Sequence, residues 1–375
     1  MEIHTLGGEY FYYHVMTNKA SKIFISYSPD SFGVRPILVK VIEPDLPNKN
    51  EGFMRAFQVS HAGQPAQFSQ IEPRKPSKGE VGVKIATCGL NFADLLMQTG
   101  QYQDTPPAPF TLGMEIAGTI ESLGDGVETP EIGTRVAIFG GQGGLAEQGC
   151  FDARAALPIP DAMSMAEVAA FQIAYGTSHV ALDYRAKLQA GETLVVLGAA
   201  GGVGLTAVEI GKLMGATVIA VARGAEKLEV ARKAGADHLI DASHEDLRGA
   251  LKALGGADVV YDPVGGDLFK AAFRACNPEA RILSIGFASG DVPKVQTNHL
   301  LVKNIDVMGF YWGGYMTFKP EVITDSLRQL FAWFEEGKLH PHISHILPFE
   351  QVSEGLEMLR MRKSTGKVVI EIAPE

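Results

Sequence analysis

A run of glycines between residues 198 and 204 has the most readily stated chemistry in this sequence. It follows an apolar run at 194–197, and a second apolar run at 217–221 completes a strand–helix–strand unit. Turn glycines let the backbone approach a pyrophosphate, and a helix N-terminus supplies free N–H groups. The spacing is Gly-x-x-Gly-x-x-Gly rather than Gly-x-Gly-x-x-Gly, and such turns also serve packing alone. In this context the pattern predicts a dinucleotide site formed by Ala199, Gly201, Gly202, Val203 and Gly204.

The end of the second strand indicates which dinucleotide binds. Enzymes that use NAD place an acidic residue there to accept hydrogen bonds from the ribose hydroxyls. This sequence instead has Arg223, with Lys227 one turn into the following helix. A guanidinium fork suits a 2′-phosphate, and a lysine adds a point charge. The pattern therefore predicts NADPH. The alternative, that both cations are solvated surface residues, stays open, above all for Lys227 beside Glu226.

The elements that position this turn change in character along the chain. Residues 1–53 show no clear helical or strand period and contain a linker-like stretch at 43–51, which predicts a poorly ordered, non-catalytic extension. Residues 54–160 contain short β-type runs broken by Gly and Pro, typical of a compact, barrel-like β domain. From about residue 164, apolar strands alternate with helices. The predicted class is α/β, with a doubly wound parallel sheet beside the β-rich domain.

Several blocks of sequence, in order, resemble the quinone oxidoreductases and zeta-crystallins, zinc-free members of the medium-chain dehydrogenase/reductase superfamily. They are residues 89–94 (GLNFAD), 109–118 (PFTLGMEIAG), 174–177 (AYGT), 199–204 (AAGGVG) and 364–369 (STGKVV). The resemblance covers roughly residues 54–372. It implies a GroES-like catalytic domain from residues 54–173 and 313–375, a Rossmann domain from residues 174–312, a cleft between them, and a homodimer.

The resemblance also implies roles for individual residues. It places Asn91 and Tyr102 in the cleft beside nicotinamide and substrate. Tyr175, Thr177 and Lys367 are implied near the cofactor, with Lys367 suited to a phosphate charge. Gly286 and Phe287 are implied beside the nicotinamide ring. Two alternatives stay open, that Asn91 only stabilises a turn and that Tyr102 only packs.

The sequence predicts no metal. Zinc-dependent relatives have Cys and His where this chain has Asn91 and Met114, and an amide and a thioether are poor zinc ligands. Glu115 is then a structural carboxylate. His340, His342 and His345 are interpreted as ordinary polar residues. Because zinc polarises an alcohol as a Lewis acid, its loss favours acceptors that are already electrophilic.

Composition narrows the function further. The net charge of −10 argues against nucleic-acid or anionic-membrane binding, and the three cysteines, which have no close spacing, indicate reduced thiols in a cytoplasm. The predicted function is hydride transfer from NADPH to a quinone or related carbonyl acceptor, with Asn91 and Tyr102 facing its oxygen. An enoyl or alkenal reductase and a non-catalytic, zeta-crystallin-like binding protein are the alternatives. The aromatic segment 308–316 either lines the cleft mouth or packs inside the protein.

Overall fold

The computed structural model describes five strands within residues 3–42, and then residues 52–61, 63–244 and 246–373. The chain forms two compact units, Met1–Phe53 and Met54–Glu375. The first contains β1 (Ile3–Leu6), β2 (Glu9–Tyr12), β3 (Met16–Asn18), β4 (Ser21–Ser28) and β5 (Arg35–Ile42). These strands pair as an antiparallel β1-β2 hairpin and an antiparallel β3-β4-β5 sheet. Strands thus occur where the sequence shows no regular period. That residues 1–53 are a poorly ordered, non-catalytic extension stays a prediction.

The second unit contains a β-rich part. Its strands come from both the beginning and the end of residues 54–373. Its strands are β6 (Met54–Val59), β7 (Gln67–Ile71), β8 (Glu80–Gly89), β9 (Phe110–Thr111), β10 (Glu115–Leu123), β11 (Arg135–Phe139), β12 (Gln148–Asp152), β13 (Ala156–Pro158), β20 (Ile343–Pro348) and β21 (Lys367–Glu371). The main sheet has the order β13-β11-β10-β8-β21-β20, with β12 also paired to β8. Strand β21 lies antiparallel to β8, so the carboxyl-terminal part of the chain completes a sheet begun near residue 80.

A six-stranded parallel sheet follows in the chain. Its strands are β14 (Thr193–Leu197), β15 (Thr217–Ala222), β16 (His238–Asp241), β17 (Ala257–Asp262), β18 (Cys276–Ser284) and β19 (Asp306–Gly309). The order is β16-β15-β14-β17-β18-β19, and each neighbouring pair is parallel. This is the doubly wound dinucleotide-binding order, whose reversal lies between β14 and β17. The predicted class, a GroES-like part with a Rossmann sheet, is confirmed.

The helices pack against the parallel sheet and against strands of the β-rich part. They are α1 (Phe92–Gln98), α2 (Met165–Ala169), α3 (Gln172–His179), α4 (Gly202–Leu213), α5 (Ala225–Lys233), α6 (Leu247–Ala253), α7 (Gly266–Ala275), α8 (Thr297–Lys303), α9 (Tyr315–Phe318), α10 (Pro320–Glu335) and α11 (Val352–Arg360). A π-helical turn, Val180–Arg185, continues α3. One apolar core joins α3, α4 and α10 to strands of both sheets. Because Met54–Glu375 forms a single compact unit, the domain limits at 173/174 and 312/313 stay predictions.

In the part of the chain that the structure describes, every helix is too short or too polar to cross a membrane.

Candidate active site

The glycine turn lies where β14 ends, at the reversal point of the parallel sheet. Gly198 has φ +64°, which favours glycine, and a Cβ on Gly204 would lie 2.2 Å from the carbonyl oxygen of Gly198. These two glycines are therefore required by the bend and by the close approach of helix α4. At Gly201 an added Cβ would meet only that same oxygen, at 3.4 Å. The backbone of Gly201 is exposed at the N-terminus of α4, and the predicted diphosphate contact there stays a prediction.

Three cations gather at the end of β15. Arg223 is exposed, and the Nζ of Lys227 donates to the carbonyl oxygen of Arg362 at 2.6 Å. Burial, followed by the nearby charges of Arg223 and Arg362, lowers the pKa of Lys227. Arg362 has φ +54° and donates to the carbonyl oxygen of Ala288 at 2.6 Å. Sequence reasoning missed Arg362, which lies 135 residues from Lys227. The arrangement suits a group with two negative charges.

The ends of β8, β10 and β21 bring a buried ion pair together. Lys367, which begins β21, has an ammonium group 2.7 Å from Glu115 Oε1, and their side chains are 6% and 0% exposed. The same ammonium group donates to Asn91 Oδ1 and to the carbonyl oxygen of Leu90, each at 2.8 Å. Glu115 Oε2 accepts from the N–H of Ile173 at 2.8 Å. All three ammonium hydrogens are thus donated within the protein.

The contacts of this ion pair concern two of the predicted site residues, Asn91 and Lys367. The side-chain nitrogen of Asn91 donates to Glu115 Oε1 at 2.9 Å and to the carbonyl oxygen of Gly89 at 3.2 Å, while its oxygen accepts from Lys367. Asn91 is therefore held in one orientation by the ion pair. The stem of Lys367 borders the glycine turn, because a Cβ on Gly202 would lie 3.4 Å from its Cδ. The predicted contact of Lys367 with a cofactor phosphate stays a prediction; its charged end points into the cluster instead.

Asp94 supports Asn91 from within helix α1. Its carboxylate accepts from the backbone N–H groups of Asn91 at 2.8 Å and Gly113 at 3.2 Å, and its side chain is fully buried. Burial raises the pKa of Asp94 to about 6, against the lowering effect of those two hydrogen bonds. The protonated form is therefore favoured on folding.

Asp94 should give the stability a specific pH dependence. Protonated Asp94 makes its full contribution to the free energy of unfolding at pH values below the unfolded pKa of about 3.9. This contribution is lost as the pH rises to about 6. We expect the difference in unfolding free energy between wild type and Asp94→Asn, measured by denaturant titration, to shrink across this range. Asp306→Asn, which removes one carboxylate at an exposed site, is the control for the loss of a charge. Parallel curves for wild type and Asp94→Asn would contradict the assignment.

Tyr102 meets a second tyrosine from the segment that follows β19. Its hydroxyl donates to the hydroxyl of Tyr311 at 3.3 Å, and the rings are edge-to-face with centroids 6.2 Å apart. Tyr311 in turn donates to the exposed carboxylate of Asp104. Burial is the largest cause that raises the pKa of both tyrosines. Tyr102 is only partly buried, so its hydroxyl is held by a network rather than packed away.

The aromatic segment 308–316 divides between the two roles left open for it. Phe310, Trp312 and Tyr315 are buried, and the ring of Trp312 lies 4.8 Å from that of Phe139. Gly176 of α3 makes room for the indole, because a Cβ there would lie 2.9 Å from it. Three of the four aromatic side chains of the segment therefore pack inside the protein, while Tyr311 reaches Tyr102.

The other predicted cofactor residues lie in two places. Tyr175 is 2% exposed, stacks on Phe171 at 4.4 Å and donates to Glu209 Oε2 at 2.5 Å; Thr177 is buried on the same helix. Gly286 and Phe287 follow β18 at the carboxyl edge of the parallel sheet, and Phe287 is 43% exposed. Of these four residues, only Gly286 and Phe287 are open at the carboxyl edge of the parallel sheet. The predicted cofactor contacts of all four residues stay predictions.

The histidines near the C-terminus make polar contacts. His340 bonds Glu209, His342 bonds Thr365 and His345 bonds Ser344. Among the residues that the structure describes, no group of three His, Cys, Asp or Glu side chains is arranged to hold a metal ion.

Comparisons with known proteins agree with this architecture. A family model described as alcohol dehydrogenase GroES-like domain matches residues 77–161, and one described as zinc-binding dehydrogenase matches residues 202–328. The chain is 38% identical over 322 residues to quinone oxidoreductase-like protein 2 of Bos taurus, covering 85% of this chain and 92% of that protein.

Two solved structures are similar over 85% of this chain and 100% of their own. The quinone oxidoreductase of Thermus thermophilus, also solved with NADPH, is 30% identical with a TM-score of 0.75. Mycobacterial Rv1454c complexed with NADPH is 27% identical with a TM-score of 0.80. With its glycine turn, parallel sheet and β-rich part in the same order, this chain belongs to the quinone oxidoreductase subfamily of the medium-chain dehydrogenase/reductase superfamily.

Proposed function

We propose that this protein is a zinc-independent reductase that uses NADPH to reduce quinones or related electrophilic carbonyl compounds. The observation that carries the proposal is the position of Lys367. Its ammonium group lies between Asn91, which stands where zinc-dependent relatives have a cysteine ligand, and Glu115. The Lys367 ammonium group thus occupies the place that a metal ion would need, and it neutralises the carboxylate of Glu115. The stem of the same lysine borders the glycine turn.

The residues present fit NADPH. The backbone from Gly201 to Gly204 would hold the pyrophosphate, since it opens a 12-residue helix at the exposed Gly201. Arg223, Lys227 and Arg362 would hold the 2′-phosphate at the end of β15. The two relatives solved with NADPH support the same choice. When bound, NADPH supplies a hydride, and the protein supplies orientation and exclusion of water.

The nature of the acceptor follows from the ion pair. A lysine whose three hydrogens are already donated cannot act as the open-sided Lewis acid that would activate an alcohol. An acceptor that is already electrophilic needs only a hydrogen bond to its oxygen as negative charge develops. Tyr102 is the hydroxyl we assign to that oxygen; its one hydrogen, which is donated to Tyr311 in this structure, has to turn toward the acceptor. Asn91 acts through positioning, because both of its amide hydrogens are donated within the protein.

A panel of acceptors tests the proposal directly. We expect NADPH oxidation with quinones, and a value of kcat/KM for NADPH well above that for NADH. The alternative within this fold is an enoyl or alkenal reductase, which would turn over enones and leave quinones unchanged. Tight NADPH binding with no turnover of either class would contradict the proposal and favour the non-catalytic alternative.

Replacing Tyr102 with phenylalanine should lower kcat by about 100-fold, the usual contribution of one positioned proton donor. The change removes one oxygen atom and keeps the ring that packs against Tyr311. KM should change little, because the lost interaction develops mainly with the charge in the transition state. Tyr184→Phe, at an exposed tyrosine bonded to Lys319, is the control and should retain the wild-type rate. A wild-type rate for Tyr102→Phe would eliminate the hydroxyl from the mechanism.

The cytoplasmic location and the homodimer expected from the sequence stay predictions.

A further inference from the structure

A line of three hydroxyl and carboxyl groups leads from the candidate site to solvent. Tyr102 donates to Tyr311 at 3.3 Å, and Tyr311 donates to Asp104. Tyr102 and Tyr311 are partly buried, while Asp104 is exposed. The two tyrosines lie 209 residues apart, one in the loop after α1 and the other after β19. The line therefore joins the β-rich part to the parallel sheet.

The local backbone holds the two tyrosines of the line in place. A Cβ on Gly313 would lie 2.7 Å from the hydroxyl oxygen of Tyr311, and one on Gly314 would lie 3.0 Å from its ring. The ring of Tyr311 thus folds back over two glycines that leave it room. Thr105 fixes the other tyrosine, because its hydroxyl and its N–H donate to the carbonyl oxygen of Tyr102 at 2.6 and 3.1 Å.

We propose that Tyr311 and Asp104 are positioning residues that orient Tyr102 and return a proton to it from solvent after each reduction. The inference rests on the proposed function. It extends that function because it assigns the path by which the consumed proton arrives.

The proton balance of this path is simple. As the acceptor is reduced, the O–H bond of Tyr102 breaks and an O–H bond forms on the acceptor oxygen. The Tyr311 hydroxyl, which donates to Asp104 at rest, turns to Tyr102, and the Tyr102 phenolate takes its proton. Tyr311 then regains a proton through Asp104, whose carboxylate takes one from water. The net change is one solvent proton consumed, with no electron beyond the hydride pair.

The charged and titratable groups around the line keep both tyrosine hydroxyls protonated at rest. Burial, Asp104 and Asp94 raise the pKa of Tyr102, while the hydrogen bond to Tyr311 lowers it. Burial, Asp104 and Tyr102 raise the pKa of Tyr311. Both hydroxyls therefore stay protonated through the neutral range, so each enters turnover as a donor and readily recaptures a lost proton.

The first test needs neither cofactor nor turnover. Tyrosines carrying ¹³C at Cζ are titrated by NMR, and the Tyr102 signal is assigned by its loss in Tyr102→Phe. We expect Tyr311→Phe to raise the pKa of Tyr102 and Asp104→Asn to lower that of Tyr311. Tyr184→Phe serves as the control and should move neither. Unchanged tyrosine titrations in both variants would overturn the inference, even if the protein reduces quinones.

The second test uses turnover with NADPH and a quinone. Tyr311→Phe should lower kcat about tenfold with KM unchanged, less than the loss of the direct donor itself. Added imidazolium buffer should restore part of that rate, because a small acid can replace the missing relay. The double variant Tyr102→Phe/Tyr311→Phe should be no slower than Tyr102→Phe alone, since both act on one proton. Additive losses or no buffer rescue would overturn the relay, whereas a wild type without turnover would overturn the proposed function.

Discussion

Replacing Lys367 with methionine should lower the free energy of unfolding by about 3–5 kcal/mol, the usual cost of breaking a buried ion pair by removing one partner. Methionine is similar in length and keeps the stem that borders Gly202, but it leaves Glu115 charged and fully buried. The carboxylate would keep only the N–H of Ile173 and the amide of Asn91 as donors. Urea unfolding at constant pH measures the loss.

The double variant Lys367→Met/Glu115→Gln is the matched control. With both charges removed, most of the lost stability should return, because a neutral pair carries no unpaired charge. If the double variant is as unstable as Lys367→Met, the loss comes from packing rather than from the ion pair.

Lys367→Met and the single variant Glu115→Gln together separate two roles of Lys367. A contact with a cofactor phosphate, as the sequence resemblance implies, requires Lys367→Met to weaken NADPH binding and Glu115→Gln to leave it unchanged. A role confined to orienting Asn91 requires both variants to lower kcat while the Kd for NADPH stays near that of the wild type. Isothermal titration of NADPH into each folded variant decides between these outcomes.

Reversing the charge of Arg223 should change cofactor preference strongly. Losing a charged hydrogen bond costs about 1.5–3 kcal/mol, and 1.4 kcal/mol is a tenfold change in Kd, so Arg223→Glu should weaken NADPH binding by about 100-fold. The affinity for NADH should hold or rise, because a carboxylate at the end of β15 can accept from ribose hydroxyls. Lys227 and Arg362 remain nearby, so some preference for the phosphate should survive.

Arg232→Glu is the control for this change. Arg232 lies in helix α5, which begins just after Arg223, and is paired with Glu229 on the exposed surface. Arg232→Glu alters the net charge by the same amount as Arg223→Glu and should leave the ratio of the NADPH and NADH dissociation constants unchanged. The effect of Arg223→Glu should also weaken at high salt, as expected for an exposed charge. A wild-type ratio in Arg223→Glu would show that the 2′-phosphate binds elsewhere.

The sequence by itself determined the features that depend on local pattern. The glycine turn, the alternation of strands and helices and the absence of an acid at the end of β15 are each visible within a few neighbouring residues. They were enough to predict the class, the doubly wound sheet and the position of the dinucleotide turn, because turn chemistry and hydrophobic period act over short distances.

Only the tertiary structure decided what the charged and hydroxyl groups touch. The ammonium group of Lys367 meets Leu90 across 277 residues because β21 pairs with β8, whereas the family resemblance implies a contact of that lysine with the cofactor, which stays a prediction. Arg362 and Tyr311 reach their partners in the same way, across 135 and 209 residues. Such contacts depend on strand register and on how the two sheets pack, and a shift of one residue turns a side chain to the opposite face.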